Sequence, residues 1–230
     1  MIDRMNSARF DDANTLYFLF DFISHNAYLA WGRAQRIAAA HNLRFEPVPV
    51  VFGAMLSAHG QTGPAEVPPK SRWMLRDVLR KAARLQLPIA PPHSHPFKSL
   101  VPLRLVCTAM ESAQRLALID RLWRATWAES LEVSNPAVVR AVALELGLDA
   151  DRLLAESGSE PIKQALRGNT EDALAAGAFG VPSVFARGQM FWGYDDLNAL
   201  ERFLDGRDPL GAVADFSAWD RVKPSVTRRR

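Results

Sequence analysis

The sequence predicts an α/β fold in which a βαβ unit, a large all-helical insertion and a closing ββα unit share one sheet. Three observations carry this. Residues 16–22 and 43–52 are apolar runs of strand length on either side of a helical stretch. Strand-like patterning then disappears until residue 181. It returns as two short runs around a turn, followed by a last helix. Strand, helix and strand in such short order imply a parallel pair joined by a right-handed crossover.

The run LYFLFDF (16–22) is apolar at alternate and intervening positions alike, as suits a strand covered on both faces. Ile23-Ser24-His25-Asn26 breaks it. Over 27–40, Ala27, Leu29, Ala30, Ala34, Ile37 and Ala38 favour a helix, and His41-Asn42 offers a stop. LRFEPVPVVF (43–52) carries Pro47 and Pro49, which assign it to a sheet edge or restrict its pairing to the stretch after them. Helices are expected over 70–85, 100–112, 116–130, 136–146, 150–157 and 161–176, with Pro136 and Pro161 in first turns. LPIAPPHSHPF (87–97) reads as an extended connection. VPSVFA (181–186) and MFWG (190–193) are short strands about Arg187-Gly188-Gln189, and 195–204 is a helix capped by Asp195 or Asp196. The expected domains are 14–52 with 178–206, an inserted helical domain over 53–177, and a tail over 207–230.

With 230 residues, 48% hydrophobic and 23% charged, the chain has the composition of a soluble globular protein. No window approaches the roughly 20 apolar residues of a bilayer span. The opening MIDRMNSARFDDANT lacks the apolar stretch of a secretory signal, so a cytoplasmic location is expected. Cys107 is the only cysteine, which rules out an intramolecular disulfide and a cysteine-based zinc site. Its setting, LRLVCTAM, reads as a helix with a small buried hydrophobe. The net charge of +3 is partly the tail Arg228-Arg229-Arg230. Arg72, Arg76, Arg80, Lys81 and Arg84 alternate with Leu75, Leu79 and Leu85, which reads as the wet face of an amphipathic helix rather than a nucleic-acid surface. His93 and His95 have no acidic or cysteine partner nearby in sequence, so no metal is assigned.

Chemistry is expected where the first strand meets the first helix. Ligand sites of parallel α/β sheets lie outside the carboxyl ends of strands. A helix N-terminus there offers free N–H groups and a positive dipole end, which favour an anion such as a thiolate. The junction reads Ser24-His25-Asn26-Ala27, so with no cysteine the protein itself cannot perform thiol–disulfide exchange. Ser24 reads as a helix cap whose hydroxyl can also donate a hydrogen bond to the sulfur of an external thiol. The arrangement βαβ, helical insert, ββα is that of the thioredoxin fold. Val181-Pro182 then stands where a cis proline lets the preceding residue pair with a peptide-like ligand; an ordinary turn proline is the other reading. In Phe191-Trp192-Gly193-Tyr194-Asp195-Asp196, one acid suits a cap and a second can hold a ligand amino group. His25 reads as an exposed first-turn residue before it reads as an acid–base group.

FDFISHNAYLA (20–30) resembles the opening motif of the 2-hydroxychromene-2-carboxylate isomerases and the kappa-class glutathione transferases, which carry a serine at this junction. GQTGPAEVPPK (60–70), RWMLRD (72–77), PFKSLVPLR (96–104), GAFGVPSVF (177–185) and FWGYDDL (191–197) continue the resemblance in the family's order. It implies a glutathione-dependent isomerase acting on a small aromatic pyruvate-type substrate, with Ser24 activating the glutathione sulfur. Val181, beside Pro182, would pair with the glutathione backbone. Asp195 and the backbone near Tyr194 would hold the γ-glutamyl end, Lys70 would meet a carboxylate, and Gln61 stands where the family usually has asparagine. Relatives of this kind are often dimers. The departures are Ser24-His25-Asn26 in place of Ser-Pro-Tyr or Ser-Pro-Phe, Lys98 in place of asparagine, and Asp196 in place of arginine. A kappa-like transferase releasing a stable conjugate and a non-catalytic thioredoxin-fold binding protein are the alternatives. Trp31, Trp73, Trp192 and Phe97 line a substrate pocket or belong to the core.

Overall fold

In the computed structural model, β1 (Thr15–Phe20) is buried at every position. Strand alternation sends Leu16, Phe18 and Phe20 into one apolar cluster and Tyr17 and Leu19 into another, so the strand separates two layers. The structure describes residues 8–210, 216–223 and 225. Arg228-Arg229-Arg230 and the first seven residues lie outside the described residues.

α1 (His25–Ala40) follows, and Asn42 closes it in the left-handed region at φ 55°. β2 (Arg44–Pro49) pairs parallel with β1 from Thr15↔Arg44 to Phe20↔Pro49. It is an edge, since the strand order is β2-β1-β3-β4. Arg44 N–H bonds Asn14 O and Val50 N–H bonds Phe20 O, so the even-numbered donors face β1. Pro47 and Pro49 therefore stand at outward positions, where their missing donors cost the ladder nothing. β3 (Ser183–Ala186) runs antiparallel to β1, and β4 (Gln189–Trp192) antiparallel to β3. The tight turn between them needs positive φ at Arg187 (49°) and Gly188 (75°).

Between β2 and β3 the chain is helical: α2 (Phe52–Ala58), α3 (Pro68–Leu85), α4 (Leu100–Leu105), α5 (Ser112–Trp127), α6 (Pro136–Glu145), α7 (Ala150–Ser157) and α8 (Glu160–Ala175). α9 (Leu197–Leu204) and a short α10 (Ser217–Asp220) complete the described residues. α1, α5 and α9 cover the face of Phe18 and Phe20, where Trp31 and Trp123 fill the space between helices and sheet. α2, α8 and Phe10 cover the opposite face, where Phe10 stacks on Phe185 at 4.8 Å. This is the α/β arrangement read from the sequence. Among the described residues, no helix is long and apolar enough to cross a membrane.

Four details differ from the sequence reading. The helix expected over 100–112 stops at Leu105, where Thr108 Oγ donates to the Leu105 carbonyl at 2.7 Å. Cys107 consequently lies in a turn; burial pushes its thiol up to about 11 and keeps it protonated. α5 begins at Ser112 and ends at Trp127, before Ser130 turns the chain at φ 58°. α2 spans too few residues to declare itself by periodicity. In α3 the buried face is Val78, Lys81 and Ala82, while Leu75 and Leu79 are 57% and 48% exposed. Lys81 is therefore not on the wet face.

Candidate active site

Ser24 caps α1 from extended backbone, φ −94° and ψ 107°, and its Oγ accepts from Ala27 N–H at 3.2 Å. The first helical N–H groups, those of His25 and Asn26, have no partner among the described residues. The Ser24 hydroxyl donates to Val181 O at 3.3 Å. Val181 precedes Pro182 across a cis peptide bond, and its own N–H has no partner among the described residues. Ser24, Val181 and Pro182 thus meet as the sequence predicts, at the carboxyl end of β1. A hydroxyl, free helix-start donors and an unpaired peptide N–H together suit a peptide-like thiol.

Asp21 supports this junction from beneath. Its Oδ1 accepts from Ile23 N–H at 3.2 Å and its Oδ2 from Phe52 N–H at 3.0 Å, tying α2 to the end of β1. Burial raises its carboxyl above the ordinary 3.8, against the hydrogen bonds from Ser99, Phe52 and Ile23.

Asp195 and Tyr194 form a second group around a residue that periodicity had placed in solvent. Lys81 is only 5% exposed. Its Nζ lies 2.6 Å from Asp195 Oδ2, 2.8 Å from Asp77 Oδ2 and 5.4 Å from the Tyr194 ring centroid. Burial lowers the Lys81 pKa, but the two carboxylates outweigh it and hold the ammonium above its ordinary 10.5. Asp196 is the N-cap of α9 but makes no side-chain capping bond. It accepts instead from Trp192 N–H at 3.0 Å and closes the turn after β4. The i,i+4 pair Asp77–Lys81 was readable as a helix-surface pair; its burial against the turn before α9 was not.

His25 is half-buried rather than an exposed first-turn residue. Its ring lies 6.4 Å from that of His95 and 5.7 Å from Trp127, centroid to centroid. Burial, then His95, pushes its pKa down to about 4. Neither His95 nor Trp127 was singled out for the site by sequence, because their approach depends on how the 87–97 connection folds back.

Gln61 and Lys70 are exposed, and neither has a bond to Ser24, Val181 or Asp195. Their segment does approach the site. His59 Nε2 lies 3.2 Å from Ala178 O, three residues before Val181. Lys98 is exposed, next to the buried Ser99 that bonds Asp21. Trp31 belongs to the core and Trp73 is 62% exposed. Trp192 is 51% exposed beside Phe179, and Phe97 is half-buried.

A thioredoxin fold with serine at the helix start and a facing cis proline defines a member of that fold without a cysteine pair at the junction. The chain belongs to the DSBA-like thioredoxin domain family, whose model matches residues 15–205. It is 30% identical over 192 residues to a 2-hydroxychromene-2-carboxylate isomerase of Sphingobium xenophagum, covering 83% of this chain and 97% of the relative. It is 26% identical over 212 residues to glutathione S-transferase kappa 1 of Rattus norvegicus, covering 86% and 93%. A solved 2-hydroxychromene-2-carboxylate isomerase shares the fold with a TM-score of 0.75 at 24% identity, covering 83% of this chain and 94% of that one. These relatives are enzymes that act on small molecules.

Proposed function

We propose that this chain is a glutathione-dependent isomerase of aromatic pyruvate-type substrates. The observation that carries the reading is the Ser24 hydroxyl at the α1 N-terminus, 3.3 Å from Val181 O and beside the unpaired Val181 N–H. When bound, glutathione would supply a thiolate that adds to a conjugated carbon, frees the former double bond to rotate, and leaves again.

Ser24 would turn its hydroxyl from Val181 O to the sulfur and, with the free N–H groups of His25 and Asn26, favour the thiolate. Val181 N–H and C=O would pair with the ligand's peptide backbone as an added strand. Asp195 would hold the γ-glutamyl amino group while keeping Lys81 as counter-charge. Gln61 and Lys70 would close over the ligand from the segment that His59 ties to Ala178.

Calorimetric titration with reduced glutathione tests this directly. Saturable binding is expected, weakened by S-methylation of the ligand and by Ser24→Ala. Absence of binding at millimolar glutathione would return the chain to the non-catalytic alternative. The kappa relative supports a second reading, a transferase that keeps the carbon–sulfur bond. Mass spectrometry of the product separates the two: an isomerase returns free glutathione, a transferase a conjugate.

A further inference from the structure

Ser24 turns towards Val181, whereas His25, the next residue, turns towards different elements: the 87–97 connection and the end of α5. His25 and His95 stack at an interplanar angle of 30°. Both stand edge-on to Trp127, which lies 5.7 Å from His25 and 5.6 Å from His95. Two of the three rings are anchored by hydrogen bonds. Trp127 Nε1 donates to Phe22 O at 2.9 Å, and His95 Nε2 lies 3.1 Å from Ile23 O. As an N–H···O bond, the latter fixes the His95 proton on Nε2 and leaves Nδ1 to a ligand. His25 Nδ1 is enclosed and has no hydrogen-bond partner, so Nε2 is the His25 nitrogen that can reach one.

Two imidazoles held together beside a reacting serine need an explanation. A metal is a poor occupant: the described residues contain no group of three or more His, Cys, Asp or Glu placed to hold one. An anion fits better. Burial keeps both rings below their ordinary 6.5, so both are neutral at pH 7: His25 can offer an N–H from Nε2, whereas His95, whose one proton is held on Nε2, offers an Nδ1–H only once it is protonated. The charges facing His25 are His95, and Asp77 and Lys81 of α3, which act in opposite senses. A planar carboxylate has two oxygens for two imidazoles, and the buried Trp127 backs both rings from the core.

We propose that His25 and His95 receive the carboxylate of the second substrate, an aryl 2-oxo acid. The inference rests on the glutathione-using reading of the site and assigns its specificity to two residues that depart from the family's pattern or lie outside it. An anion bound against the pair favours the charged imidazole. Binding therefore takes up a proton from solvent, converting imidazole to imidazolium with no covalent change in protein or ligand.

The probe is benzylidenepyruvate, with its methyl ester as the uncharged control, titrated into the full chain with and without saturating glutathione. The acid is expected to bind about tenfold tighter than the ester. Titrations in two buffers of different ionisation enthalpy are expected to show net proton uptake for the acid alone. His25→Gln and His95→Gln should each bring the acid down to the ester's affinity and leave the ester unchanged. Should His25→Gln fail to fold, exposed His95 decides the matter alone. Equal binding of acid and ester by the natural chain, or variants that weaken both equally, would overturn the proposal. Failure of glutathione to bind would sink the proposed function instead, while the acid–ester comparison without glutathione still decides for or against the histidine pair.

Discussion

Lys81 Nζ bonds Asp195 Oδ2 at 2.6 Å across 114 residues of sequence, so one nearly buried ammonium pins α3 to the turn ahead of α9. The carboxylate proposed to hold the γ-glutamyl amine is therefore already half of an ion pair, which such a ligand would have to share.

Lys81→Met leaves Asp77 and Asp195 without their cation. Asp195 is 77% exposed at its side chain and can rehydrate, so the expected loss is about 1–2 kcal/mol rather than the larger cost of a stranded buried charge. Urea unfolding measures it, and the same variant should weaken glutathione binding. Because the folded-state pKa of Lys81 is raised, its stabilisation is full below pH 10.5 and fades as pH rises through the higher folded value.

His25 titrates in the opposite sense. Its folded pKa of about 4 lies below the ordinary 6.5, so the unfolded chain binds the proton first. Stability is full above pH 6.5 and falls as pH drops towards 4, by up to about 3 kcal/mol. Thermal unfolding across that window should show the slope in the natural chain and a shallower one in His25→Gln.

Asp21 makes a third pH-dependent contribution. Burial raises its carboxyl, so the folded state favours the protonated form and its contribution is lost as pH rises above 3.8. Asp21→Asn removes that slope while one amide oxygen still accepts from Ile23 or Phe52. Asp21→Ala forfeits both acceptors and should cost about 2–3 kcal/mol in chemical denaturation.

Gly180 tests the wall of the site nearest Val181. A Cβ there would come within 2.8 Å of Trp192 Nε1. Since Trp192 is half exposed, the indole can swing aside, and Gly180→Ala should change stability by less than about 1 kcal/mol. With the six tryptophans fluorinated, one 19F resonance should move strongly, and Trp192→Phe identifies it.

Much of this architecture was legible because its signals are local. The two-sided apolar run of β1, the prolines of β2 and the serine before α1 each report on their own few residues. Where sequence reasoning failed, distant partners decided the outcome. Lys81 has the spacing of a solvent-facing residue and is buried only because Asp195 meets it from beyond β4. The His25–His95–Trp127 group depends on the path of the 87–97 connection, which no periodicity describes. Leu75 and Leu79 lie at the margin of the narrow stripe of Val78 and Ala82 that packs with Leu29 of α1, and are left exposed.

The outward prolines of β2 also govern how the folded chain behaves in company. A sheet margin with a full row of free donors invites a neighbour's strand to stack on and polymerise. Here two successive outward positions carry rings instead of donors, so crowded copies find no continuous rail to grip along that border.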